Sequence, residues 1–220
     1  MRGTPTRPGS LLLVLTLFSG AITTLSAQTA EPPMAGMHMA FTSTRPGTTG
    51  DTARALQVVE RLRAAIAPYE SLEAAEAAGY RSRKEPEMVK GARLLHVGKR
   101  MGHRRETRPF DPASPQALLY RRDGDGQFRL AGAMYVAPPS AILDDLDAMI
   151  PLSVAHWHRH LNVCIAGNRK SFRRIPKATT AEACEVAGGR FRAESRYMVH
   201  VITTAGDDLA QAFPQGRNEM

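Results

Sequence analysis

The residues best suited to chemistry lie in PLSVAHWHRHLNVC, residues 151–164, where three of the chain's seven histidines fall within five positions. Neutral imidazole suits Zn, Cu and Fe better than Mg or Ca. Read as a strand of period two, the segment places His156, His158, His160, Asn162 and Cys164 on one face and Trp157, Arg159, Leu161 and Val163 on the other. Read as a helix, it sets His156 and His160 at i and i+4, which also chelates zinc. Two more histidines interrupt apolar strand-like runs, His96 in ARLLHVG and His200 in RYMVHVITT. Either one alone reads as a hydrogen-bonded core histidine, because a buried ring needs a partner or an ion. Taken together, His96, His158, His160 and His200 bring four imidazoles from three separated segments. One transition-metal ion (Cu, Zn or Fe) is the expected cofactor, with His156 and Cys164 as reserve ligands.

Soft donors occur elsewhere. MAGMHM, residues 34–39, offers Met34, Met37, His38 and Met39 as an accessory Cu(I) cluster if that segment folds back, and otherwise reads as unstructured chain. Cys164 and Cys184 are the two cysteines, and in an exported chain they read as a disulfide closing a loop of about 20 residues. The competing reading keeps Cys164 as a thiolate ligand beside the histidines. Asp123 and Asp125 in RDGDG suggest calcium, but the remaining oxygen ligands of an EF-hand loop are missing, and Asp-Gly reads as a hairpin turn.

These groups need a scaffold. Ala55, Val59, Leu62 and Ile66 form the stripe of an amphipathic helix capped by Asp51 or Thr52 and stopped by Pro68. A second helix has Ser71 as cap, Leu72, Ala75 and Ala78 on one face, and Gly79 as its stop. Strands are expected over Ala117–Arg121 and Gln127–Val136, and a short helix over Ser140–Met149. The expected fold is α+β, a single domain with an N-terminal helical hairpin packed on a mainly antiparallel sheet over residues 51–213, flanked by a flexible tail at 28–50 and a short one at 214–220.

Arg2 and Arg7, the apolar run Leu11–Phe18 and the small residues through Ala27 have the layout of a secretory signal over residues 1–27, so a periplasmic or extracellular location is expected. The apolar run is too short to span a bilayer, and no transmembrane span follows it. The chain carries 29 Lys and Arg against 21 Asp and Glu. Its basic excess is concentrated in residues 81–108, a face suited to an anionic surface or acidic partner. No recognition helix, zinc-finger spacing or ribonucleoprotein motif accompanies that stretch, so nucleic acid is not an expected partner. There is also no G-x-S-x-G, P-loop, G-x-G-x-x-G or H-E-x-x-H pattern. Tyr80, Tyr135, Glu194 and Arg196 are the available groups to support a metal-bound substrate.

HRHLNVC resembles the opening of the cupin metal motif, in which two histidines one residue apart share a strand. Cys164 stands where a cupin places Glu, and the surrounding glycines are out of register. More broadly, Tyr69, Gly79-Tyr80, LLHVGK, FDPASPQALLYRRDGDGQFRLAGAMYV, WHRHLNVC and YMVHV resemble a family of uncharacterised exported bacterial proteins, a domain of unknown function marked by WHxHxNxC, over residues 69–204. That resemblance implies one domain and a common role for His96, His158, His160 and His200. It implies no reaction. Three readings follow: an exported metal-binding protein, a metal-dependent enzyme of cupin-like oxygenase or hydrolase type using the same site, or a structural domain without metal.

Overall fold

A computed structural model of the chain describes residues 39–82, 94–99, 109–166, 175 and 179–214. The chain is α+β. Eight strands, β1 (Met39–Phe41), β2 (Tyr80–Ser82), β3 (Leu94–Lys99), β4 (Ala117–Arg122), β5 (Phe128–Val136), β6 (His158–Ala166), β7 (Gly189–Glu194) and β8 (Met198–Ile202), form one sheet. Its order is β1-β6-β8-β5-β4-β3-β2, with β7 added to β6, and every pairing among the described strands is antiparallel. The helices are α1 (Asp51–Ile66), α2 (Leu72–Ala77), α3 (Leu143–Met149), α4 (Ala181–Val186) and α5 (Leu209–Ala212). No helix among the described residues is long and apolar enough to cross a membrane.

One face of the sheet makes the main core. Leu95, Val97, Leu118, Tyr120, Ala133, Tyr135, Val199 and Val201 are buried against Val58, Val59, Leu62 and Ile66 of α1, Ala75 of α2 and Leu146 of α3. Period two in the strands and 3.6 in α1 meet along this layer, which leaves the alternate strand residues, the histidines among them, on the opposite face. Burial pushes the hydroxyls of Tyr120 and Tyr135 up, so both stay protonated and donate, Tyr120 to the Tyr69 and Ser71 carbonyls and Tyr135 to that of Pro112.

The helix termini follow local chemistry with one change. Ser71 caps α2 by accepting from the Ala74 N–H, and Gly79 takes φ 89° just beyond its end. Asp51 is instead the first residue of α1, after Gly50. Its carboxylate accepts from the Thr48 N–H and hydroxyl and from the Ser153 hydroxyl, which ties α1 to the loop leading into β6. The Ser153 and Thr48 hydrogen bonds, assisted by the Arg54 charge, hold it down from the ordinary 3.8 to about 2. A depressed folded-state pKa contributes stability above about pH 4 and loses it as pH falls through about 2. Asp51→Asn is therefore expected to be less stable than wild type at pH 7, with the gap closing between pH 4 and 2. Chemical denaturation across that range measures it, and a gap independent of pH would refute the ionic role.

β4 and β5 form the expected hairpin. The Asp123 carboxylate accepts from the Asp125 and Gln127 N–H groups and from Arg129, and Gly126 takes φ 80°. That carboxylate closes a turn. Farther along, the register slips: Leu119 faces Gly132 but Tyr120 faces Leu130, so Ala131 is an extra residue in β5. This β-bulge bends the strand and switches which residues face the core, from Phe128 and Leu130 before it to Ala133 and Tyr135 after it.

The segment expected as a tail over residues 28–50 enters the sheet at Met39. Phe41 packs at 5.8 Å on the His158 ring, and Thr42 exchanges hydrogen bonds with the Trp157 backbone. Those contacts hold β1 on β6. Residues 1–38, most of the basic stretch 81–108 and residues 215–220 lie outside the described residues, so the expected leader, Met34, Met37, His38 and all of the expected C-terminal tail but Pro214 do too.

Candidate metal centre

His96 lies on β3, His200 on β8, and His158 and His160 on β6. A flat sheet would hold β3 and β8 three strand spacings apart, about 14 Å. The Nε2 atoms of His96 and His200 are nevertheless 3.3 Å apart, so the sheet curls over its histidine face. The bulge at Ala131 and small residues at Ala117 and Gly132 on the concave side permit the curl. A Cβ built on Gly132 would lie 1.9 Å from the Val201 carbonyl oxygen, which shows how closely β5 and β8 approach there.

The four rings form a row. Centroids are 5.6 Å apart for His160 and His158, 5.3 Å for His158 and His200, and 5.1 Å for His200 and His96. His158 and His200 are 5% and 7% exposed, whereas His96 and His160 are half-buried. Two nitrogens bound tetrahedrally to one ion at about 2.0–2.1 Å stand about 3.3 Å apart, which is the His96–His200 spacing. The same spacing also allows one Nε2–H to donate to the other ring's lone pair. The row as a whole is not a finished coordination shell. Among the described residues, no three or more His, Cys, Asp or Glu side chains are disposed to hold an ion as they stand.

The reserve ligands are elsewhere. His156 precedes β6, with Nδ1 3.2 Å from the Thr42 carbonyl oxygen and Nε2 3.4 Å from the Thr44 hydroxyl. Cys164 is disulfide-bonded to Cys184 in a small separate core with Ile175 and Phe191, so its sulfur is not a thiolate. The single face expected for His156, His158, His160, Asn162 and Cys164 is interrupted because Asn162 adopts φ 51°, a left-handed turn that asparagine tolerates better than most residues. From His158 to His160 β6 runs between β1 and β8, and from Leu161 onward it pairs with β7.

Three of the four groups expected to support a substrate are engaged away from the row. Tyr80 and Tyr135 are in the main core, and Glu194 is paired with Arg159. Arg196 is exposed, and its carbonyl accepts from the Ser195 hydroxyl. Ser195 in turn clasps His160 through backbone and side chain.

Two residues passed over in the sequence do lie on the histidine face. Met134 pairs with His200, and Met198 pairs with His158. The available signal was Met198 two positions before His200 on one strand; Met134 had none, because its neighbour comes from a distant segment. Comparison with protein-family models, with curated proteins and with solved structures gives no match for this chain.

Proposed function

We propose that this is an exported metal-binding protein in which His96, His158, His160 and His200 hold one transition-metal ion, Cu, Zn or Fe. The observation that carries this reading is the meeting of four imidazoles from three strands across a curled sheet, with one pair already at the spacing of two ligands on one ion. Binding would require His158 and His160 to turn about their side-chain torsions toward that pair. The leader-like residues 1–27 and the Cys164–Cys184 disulfide both suit an oxidising compartment, the periplasm or the exterior. The scaffold reading that goes with it is a single domain in which α1 and α2 act as a hairpin bracing the sheet, and the basic side chains of the 81–108 stretch are the part of the sequence suited to an anionic surface.

Carriage or storage is favoured over catalysis by the placement of the would-be supporting groups, Tyr80 and Tyr135 in the core and Glu194 on Arg159. The test is elemental analysis of untagged protein recovered after export, beside a His158→Ala, His160→Ala variant. Wild type is expected to hold about one ion per chain, and the variant to lose affinity by more than roughly 100-fold. Equal, negligible metal in both after incubation with Cu(I), Zn(II) and Fe(II) would leave the metal-free structural reading in its place.

A further inference from the structure

We propose that Met39, Met134 and Met198 complete the centre as thioether donors and that its cargo is Cu(I). The inference rests on the histidine site above and goes beyond it in naming the ion. Each of the three histidines on β6 and β8 has a methionine as its direct cross-strand partner: Met39 opposite His160, Met198 opposite His158, and Met134 opposite His200. Directly opposed residues project from the same face with Cβ atoms about 4.5–5.5 Å apart, within easy reach of a side chain with three rotatable bonds.

The face is independently fixed for each strand. On β8, Val199 and Val201 enter the core, which turns Met198 to the side of His200. On β5, Ala133 and Tyr135 enter the core, so Met134 points away from it. On β1, Phe41 packs on the His158 ring, and Met39 two residues earlier shares its side. All three methionines are half-buried, and none belongs to the main core cluster that takes in Met149.

The donor set decides the ion. Thioether sulfur is soft and neutral, adds little to the binding of Zn(II), and favours Cu(I), which also accepts imidazole. A site for Zn or Fe(II) would be served better by a carboxylate or thiolate beside the histidines. The cysteines are joined to each other instead, and Glu194 is held by Arg159. Plain apolar filling of the concave face is the competing role for the three methionines, and it predicts no preference among ions.

The test is anaerobic titration of the full exported chain with Cu(I), supplied as its acetonitrile complex against bicinchoninate, and separately with Zn(II) against a zinc dye. Copper K-edge X-ray absorption is recorded on the loaded wild type. The variant is Met39→Leu, Met134→Leu, Met198→Leu, which keeps volume and removes sulfur. Wild type is expected to show copper–sulfur scattering, and the variant to lose at least about 100-fold in Cu(I) affinity while Zn(II) affinity moves less than about threefold. Copper bound by nitrogen alone in the wild type, or unchanged Cu(I) affinity in a folded variant, overturns the thioether assignment and leaves the histidine site standing. If the triple variant does not fold, the absorption spectrum of the wild type decides alone. Failure of wild type to bind any of these ions removes both the histidine site and this inference.

Discussion

Gly132→Ala is expected to lower the melting temperature by roughly 10 °C and to abolish high-affinity metal binding, the larger part of the effect falling on the site. The reason is distance. The added methyl carbon would lie 1.9 Å from the Val201 carbonyl oxygen and 2.9 Å from both the Val201 carbonyl carbon and the Ile202 Cα, all of them backbone atoms that cannot swing aside. Relief requires β5 and β8 to part locally, at the upper end of the ~1–3 kcal/mol that overpacking costs. His200 sits two residues from Ile202 on the strand that must move, and its Nε2 has to remain 3.3 Å from that of His96. Thermal unfolding by circular dichroism and metal stoichiometry on the same sample would read both effects. A variant with wild-type melting and full metal content would show that the curl of the sheet is not what brings the rings together.

The second large effect is expected from Cys164→Ser with Cys184→Ser. The disulfide joins residues 20 apart, and loop-closure entropy assigns it about 3 kcal/mol, or roughly 6–12 °C in melting temperature for a chain of this size. Gly189 lies against it: a Cβ there would be 2.3 Å from the Cys164 sulfur and 2.9 Å from that of Cys184, so β7 depends on this position being glycine. Metal affinity, by contrast, is expected to change less than about threefold, because His158 and His160 lie on the other side of the Asn162 turn from Cys164 and effects at separate sites are nearly independent. Unfolding with and without reductant, followed by metal titration, separates the two quantities. Unchanged melting would remove the stabilising role of the disulfide, and a large loss of affinity would show that the Asn162 turn does not insulate the site from the second core.

Much of the scaffold is legible residue by residue. The apolar stripe of α1, the Ser71 cap and Gly79 stop of α2, and the hairpin at Asp123–Gly126 each depend on neighbours within a few positions, where propensity and periodicity act directly. The cap expected at Asp51 or Thr52 falls on Gly50, and Asp51, the first residue of α1, turns its carboxylate to Thr48 and to Ser153, the latter more than a hundred residues away. Cys164 shows the limit of periodicity more plainly. It stands four residues after His160, and an unbroken strand would have kept it on the histidine face; the chain turns at Asn162 and Cys164 lies in another core.

Amino-acid order alone was enough to pick out the four histidines, the α+β scaffold and the two cysteines, since each announces itself by residue type and local spacing. Which histidines lie next to one another, which of the reserve ligands stand apart, and which methionines stand opposite them became visible only in the folded chain. The physical cause is that cross-strand register and sheet curvature arise from contacts between distant segments. His96 and His200 bring their Nε2 atoms within 3.3 Å although β5 and β4 lie between their strands, and the extra residue at Ala131 and the missing side chain at Gly132 sit in that span, far from either histidine in sequence.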